Sequence, residues 1–97
     1  MVATALDESH RHAWLSEHPL WELDGEKIHR VFVFSDFSAA FAWMTRVAEI
    51  ADRMNHHPEW FNVYSRVEVW LTTHDLGGLS DLDLTLAEAM DALAIRA

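Results

Sequence analysis

The chain has 97 residues, 51% of them hydrophobic; five are Trp, five are Phe and none is Cys, and 16 acids against seven Lys plus Arg give a formal net charge of −9. That length and apolar content predict one compact domain over residues 1–97, with an amino-terminal helix in 1–19 and a core in 20–97, while the missing cysteines exclude disulfides, thiolate nucleophiles and Cys-based metal centres. The acidic field disfavours nucleic acid and membrane lipid as direct partners, and a start rich in acids and histidines, with no later run of transmembrane length, makes the cytoplasm the expected address.

Thr4 with Asp7 three residues on resembles a capping box, opening a short helix with Leu6, Ala13 and Trp14 on one side and ending before Pro19. Residues 21–23 and 27–34 flank the turn signal Asp24-Gly25, and Ile28, Phe32 and Phe34 share one parity, so a hairpin is expected. From the capping residue Asp36 the period becomes helical. Phe37, Phe41, Met44, Ala48 and Ala51 recur at three- and four-residue steps and predict an amphipathic helix to about Met54. Beyond Asn55-His56-His57-Pro58, residues 59–64 and 66–73 read as a second strand pair, with Val67, Val69 and Leu71 alternating against Arg66, Glu68 and Trp70. Gly77-Gly78 breaks that pattern, and Ser80 with Asp83 forms another capping box before a helix carrying Leu82, Leu86, Met90 and Leu93. The order helix-strand-strand-helix-strand-strand-helix predicts an α+β fold, a four-stranded antiparallel sheet with helices packed on one face. The open edges of such a sheet are a ready interface for a second copy, so a homo-oligomer is expected.

The seven histidines stand out because imidazole titrates near neutral pH. His10, His12 and His18 fall in a polar stretch where solvated surface explains them, and His29 lies in a strand with the same explanation. His56-His57-Pro58 occupies the loop between the long helix and the third strand, with Pro58 holding His57 extended, and His74 closes the fourth strand; pairing of these strands would bring all three imidazoles toward one rim. On spacing alone, a solvated turn explains adjacent histidines better than a catalytic pair. A metal site of His56, His57 and His74 is a second reading, without any HExxH-type ligand spacing behind it. Asp52 and Asp83 could orient imidazoles, although Asp83 is also explained by its capping position. Trp60, Phe61, Tyr64 and Trp70 either offer a flat surface to a ring-shaped ligand or fill the core. With no phosphate loop, GxSxG elbow or basic aromatic patch, histidine acid–base work or binding remains.

The run Asp52-Arg-Met-Asn-His56-His57-Pro58-Glu-Trp60-Phe61-Asn62-Val-Tyr64, then Val67, then Leu71-Thr-Thr73-His74-Asp-Leu-Gly77-Gly78-Leu79-Ser80 and finally Asp83, resembles the signature of the pterin-4a-carbinolamine dehydratases. The likeness extends back through Trp21, Phe32-x-Phe34, Asp36-Phe37 and residues 44–47, covering roughly residues 20 to 95, with the amino-terminal segment weakly matched. Asp52 stands where many relatives have Glu, Asn55 where some have Asp, and Leu82 where a basic residue is common; the first change shortens a side chain.

The resemblance implies dehydration of 4a-hydroxytetrahydropterin to quinonoid dihydropterin, in the recycling that serves aromatic amino acid hydroxylases, with neither metal nor organic cofactor. By position, His56 and His74 would be the acid–base pair, His57 would hold the pterin, Asp52 would support the imidazoles and Trp60 would line the pocket, with Asp83 a weaker carry-over. The family assembles as dimers or tetramers. Some animal relatives also act as dimerisation cofactors of a homeodomain transcription factor, so a non-catalytic interaction module on the same fold is the alternative.

Overall fold

A computed structural model describes residues 2–96. In chain order it contains α1 (Glu8–Glu17), β1 (Glu22–Asp24), β2 (Lys27–Val33), α2 (Phe37–Met54), β3 (Glu59–Val63), β4 (Arg66–Leu71), a 3₁₀ turn (His74–Leu76) and α3 (Asp81–Arg96). Every strand pair is antiparallel and the sheet order is β1-β2-β4-β3, which bears out the expected α+β arrangement. Among the described residues, no helix is long and apolar enough to cross a membrane.

Two tight turns set the registers. Asp24 pairs with Lys27, so the turn is Gly25-Glu26, with Gly25 at φ 61°, a left-handed conformation that glycine adopts without a Cβ penalty. Asp24 itself therefore belongs to the strand. At the β3–β4 turn, Tyr64 carries the left-handed conformation at φ 49°, and the Asn62 side-chain amide supports it by donating to the carbonyls of Tyr64 and Arg66 at 3.1 and 3.0 Å.

The pleat sends alternate residues to opposite faces. Ile28 and Phe32 of β2 and Val67, Val69 and Leu71 of β4 turn inward, where they meet Trp43 and Val47 of α2 and Leu86 and Met90 of α3 in one apolar core. The inner face also carries Arg30, which pairs with Asp91 of α3 and lies over the Phe32 ring at 4.1 Å.

Two local expectations are corrected. The cap of α1 is Asp7, which accepts from the His10 N–H at 2.7 Å; Thr4 is tied instead to the start of α3, its N–H donating to Asp81 Oδ1 at 2.7 Å and its carbonyl accepting the Asp81 N–H at 3.0 Å. Of that helix only Trp14 is buried, and Ala13 is exposed. In α2 the span and the Asp36 cap are as expected, but the buried stripe is Ala40, Trp43, Val47, Ala51 and Met54. Phe37, Phe41 and Ala48 are exposed, the two phenylalanine rings stacking at 5.6 Å on the surface. At about 100° per residue the two stripes lie roughly 90° apart, so the apolar arc is wider than the surface that the sheet covers, and Trp43, the largest side chain, takes the inside.

Candidate active site

The loop after α2 turns sharply because Asn55 adopts the left-handed conformation at φ 51°, with its N–H returned to the last helical turn, a common helix ending. The His56 N–H then bonds the Ala51 carbonyl at 3.0 Å, and the ring is driven under the helix end, where the residue is only 8% exposed. Its partner comes from α3. The Ser80–Asp83 capping box forms as expected, Ser80 N–H donating to Asp83 Oδ2 at 2.9 Å and Leu82 N–H to Ser80 Oγ at 3.2 Å.

Capping uses only part of that carboxylate. Asp83 Oδ2 also accepts from the Thr73 hydroxyl at 2.8 Å, Thr73 Oγ1 and Ser80 Oγ lie 2.6 Å apart, and Asp83 Oδ1 stands 2.6 Å from His56 Nε2. An isolated carboxylate at 0% exposure would be costly. Here every one of its bonds also fixes something else: the helix start, the end of β4 and the imidazole.

The other two histidines are open to water. His57 Nε2 meets Asp52 Oδ1 at 2.9 Å with both side chains exposed, so the short Asp52 side chain still reaches an imidazole. His74 Nε2 lies 3.0 Å from Glu59 Oε2, and Glu59 Oε1 is bonded by Lys27 Nζ at 2.6 Å. The hydrogen bond from Lys27 holds the Glu59 carboxyl below its ordinary range; desolvation opposes this, and the charges of Lys27 and His74 add to the lowering.

All three imidazoles line one cleft of about 220 Å³, together with Asn55, Thr72, Thr73 and Asp75. Among the described residues, the Nδ1 of each ring makes no hydrogen bond, while each Nε2 is engaged by a carboxylate. Such a site can give and take protons at ring nitrogens that point to no protein partner. Among the described residues, no group of three or more His, Cys, Asp or Glu side chains converges as a metal site. A larger depression of about 430 Å³ lies at the opposite end of the sheet, beside Arg30, Phe32 and Asp91, and has no histidine in its lining.

Trp60 is not in the lining of the histidine cleft. It turns inward, partly buried, with its ring 6.2 Å from that of Trp43, whereas Phe61 and Tyr64 are exposed and Trp70 lies on the outward face, so the pleat divides the aromatic group. Residue spacing missed Glu59, Lys27, Thr73 and Ser80 as parts of the site. Thr73 and Ser80 could have been suspected as polar residues on either side of Gly77-Gly78; Lys27 and Glu59 become neighbours only once β4 stands between their strands.

Residues 4–93 match the family model described as Pterin 4 alpha carbinolamine dehydratase, so the likeness begins well ahead of residue 20. A protein of Synechococcus sp. (strain WH7803) that carries the provisional name pterin-4-alpha-carbinolamine dehydratase is 52% identical over 92 residues, 95% of this chain and 99% of that one. A protein of Rhodopseudomonas palustris (strain BisB18) with the same provisional name is 55% identical over 96 residues, covering 97% of this chain and 94% of its own. Among solved structures, a transcriptional coactivator/pterin dehydratase from Brucella melitensis superimposes with a TM-score of 0.89 at 44% identity, over 94% of this chain and 99% of that one. A pterin dehydratase-like RuBisCO assembly factor of the alpha-carboxysome shares the fold, with a TM-score of 0.63 at 20% identity over 76% of this chain and 86% of its own.

Proposed function

Because the chain belongs to the pterin 4 alpha carbinolamine dehydratase family, we propose that it eliminates water from a 4a-hydroxytetrahydropterin to give quinonoid dihydropterin by histidine acid–base catalysis. The observation that carries this reading is the convergence of His56, His57 and His74 on one cleft, each with Nε2 within 3.0 Å of a carboxylate. Elimination breaks the C4a–O bond as a proton reaches the departing hydroxyl; a base removes the N5 proton, and the N–H electron pair becomes the C4a=N5 double bond. Neither a metal nor an organic cofactor enters that balance.

His56 is the acid: a positive ring there is countered by the enclosed Asp83 carboxylate. His74 is the base, and its exposure lets water reset it after each turnover. His57, oriented by Asp52, holds the pterin, whereas Trp60 packs against Trp43 outside the cleft lining. The setting of this chemistry is tetrahydropterin recycling in the cytoplasm alongside an aromatic amino acid hydroxylase, in a homodimer or homotetramer built on the open edges β1 and β3.

A non-catalytic interaction module is the second reading, favoured by the solvent-facing Phe37–Phe41 stack, which lies outside the cleft lining. Turnover of freshly generated carbinolamine by purified protein separates the two. The His56→Ala, His74→Ala double variant is expected to lose on the order of 100-fold or more in rate, the share of positioned proton transfer. An unaltered rate refutes the assigned site, and partner capture by a wild-type protein without turnover favours the second reading.

A further inference from the structure

On the outward face of the sheet, Lys27 of β2 and Glu59 of β3 flank Trp70 of β4. Ile28 pairs with Leu71 and Glu59 with Trp70, and the pleat turns residues 27, 59 and 70 to the side away from the helices. The ammonium of Lys27 holds one oxygen of Glu59 at 2.6 Å, and the other oxygen stands 3.0 Å from His74 Nε2. His74 opens the 3₁₀ turn with its side chain 74% exposed, so packing does little to restrain the ring. Among the described residues, Glu59 is its one polar side-chain partner.

A neutral imidazole carries a hydrogen on one nitrogen and a lone pair on the other. The negative charge of the Glu59 carboxylate 3.0 Å from Nε2 favours a hydrogen over a lone pair on that nitrogen, so the ring keeps its hydrogen there and presents Nδ1 as the acceptor. We propose that Glu59, itself held by Lys27, is a positioning residue for His74 that fixes which ring nitrogen takes up the substrate proton. This rests on the reading of His74 as the base and deepens it. Lys27 also keeps the Glu59 carboxyl below its ordinary range, so the partner stays ionised wherever a histidine base works.

The ring is read directly by the ¹⁵N shifts of His74 at about pH 9, where an imidazole of reference pKa about 6.5 is neutral. The wild type should show Nε2 protonated and Nδ1 bare. In Glu59→Ala the two shifts should move toward each other as the tautomers mix, and Lys27→Met should move them less in the same direction. His74 shifts that are unchanged in Glu59→Ala overturn the proposal. In turnover, Glu59→Ala should lower kcat roughly tenfold with KM little changed, the lower end for a lost orienting partner. Glu59→Gln keeps a carbonyl oxygen at the same reach and should recover most of kcat; a Gln variant as slow as the Ala variant also overturns it. The ring shifts need no pterin, so a fixed tautomer in a wild-type protein without turnover counts against the proposed reaction and for the positioning.

Discussion

His56 and His74 line the same cleft, and each has a carboxylate at its Nε2, yet the two walls are made differently. On one wall the imidazole is buried, its partner Asp83 is fully enclosed, and the pair is tied through Thr73 and Ser80 to the end of β4 and the start of α3. On the other, His74 is mostly solvated and Glu59 sits on an edge strand, steadied by Lys27. Charge interactions are several times stronger away from water, and a group stripped of its partner there has no solvent to replace it. The enclosed wall is thus part of what holds the fold, whereas the open wall can change with little consequence for folding. Substitutions along the two walls should separate accordingly.

The largest effect should come from Asp83→Ala. It leaves the His56 ring, the Thr73 hydroxyl and the Ser80 N–H facing an apolar gap and removes the Asp83 half of the α3 capping box at the same time. Losing one member of such a buried network costs about 3 kcal/mol or more, which for a domain of this size lowers Tm by on the order of 10–20 °C. Thermal unfolding followed by circular dichroism reads it, and a drop under about 3 °C would erase the distinction between the walls.

Thr73→Val sharpens the same comparison at smaller amplitude. The shape is nearly kept, but Asp83 Oδ2 and Ser80 Oγ each lose a partner, so the expected cost is about 1–2 kcal/mol, measured as a shift of the denaturant midpoint at constant slope. A Val variant as stable as the parent would mean that water enters and replaces the hydroxyl.

How far such walls could be foreseen depends on the distance over which their parts communicate. The strand alternation of Val67, Val69 and Leu71, the Asp36 cap and the Ser80–Asp83 box are local signals, and each stands in the structure where its spacing placed it. The buried side of α2 was not legible, because Phe37 and Phe41 extend the same apolar arc and only the presence of the sheet decides that Trp43 and Val47 go inside. Within the site, the His-His-Pro loop and His74 were visible as a motif and meet in one cleft. The second duty of Asp83 was hidden behind its first: a capping aspartate looks the same in sequence whether or not its other oxygen holds an imidazole. Glu59 was hidden more deeply, since its contacts depend on the registers of three strands at once.

The open wall should respond to pH in the acid range. The Glu59 carboxyl titrates below its ordinary value of 4.5 in the folded protein, so the stability it contributes is full above that value and is lost as pH falls through the lower, folded one. Glu59→Gln has no such titration. Below about pH 5 the stability gap between the two proteins should narrow as pH falls, by less than about 1 kcal/mol once solvent screening is counted. Urea midpoints across that range measure it, and a gap that widens toward low pH would reverse the assigned sign.

The smallest effect is expected at the third pair. Asp52 and His57 are 80% and 58% exposed in their side chains, and their 2.9 Å contact crosses a surface where water competes for both groups. Exposed pairs of this kind contribute between nothing and about 1 kcal/mol, so Asp52→Asn should leave Tm within about 8 °C of the parent while loosening the ring that holds the pterin. KM for the carbinolamine should therefore rise with kcat nearly unchanged, the pattern of lost uniform binding. A fall in kcat instead would move His57 from holding the substrate to handling its protons, and the division between an acid on the enclosed wall and a base on the open one would have to be redrawn around three rings.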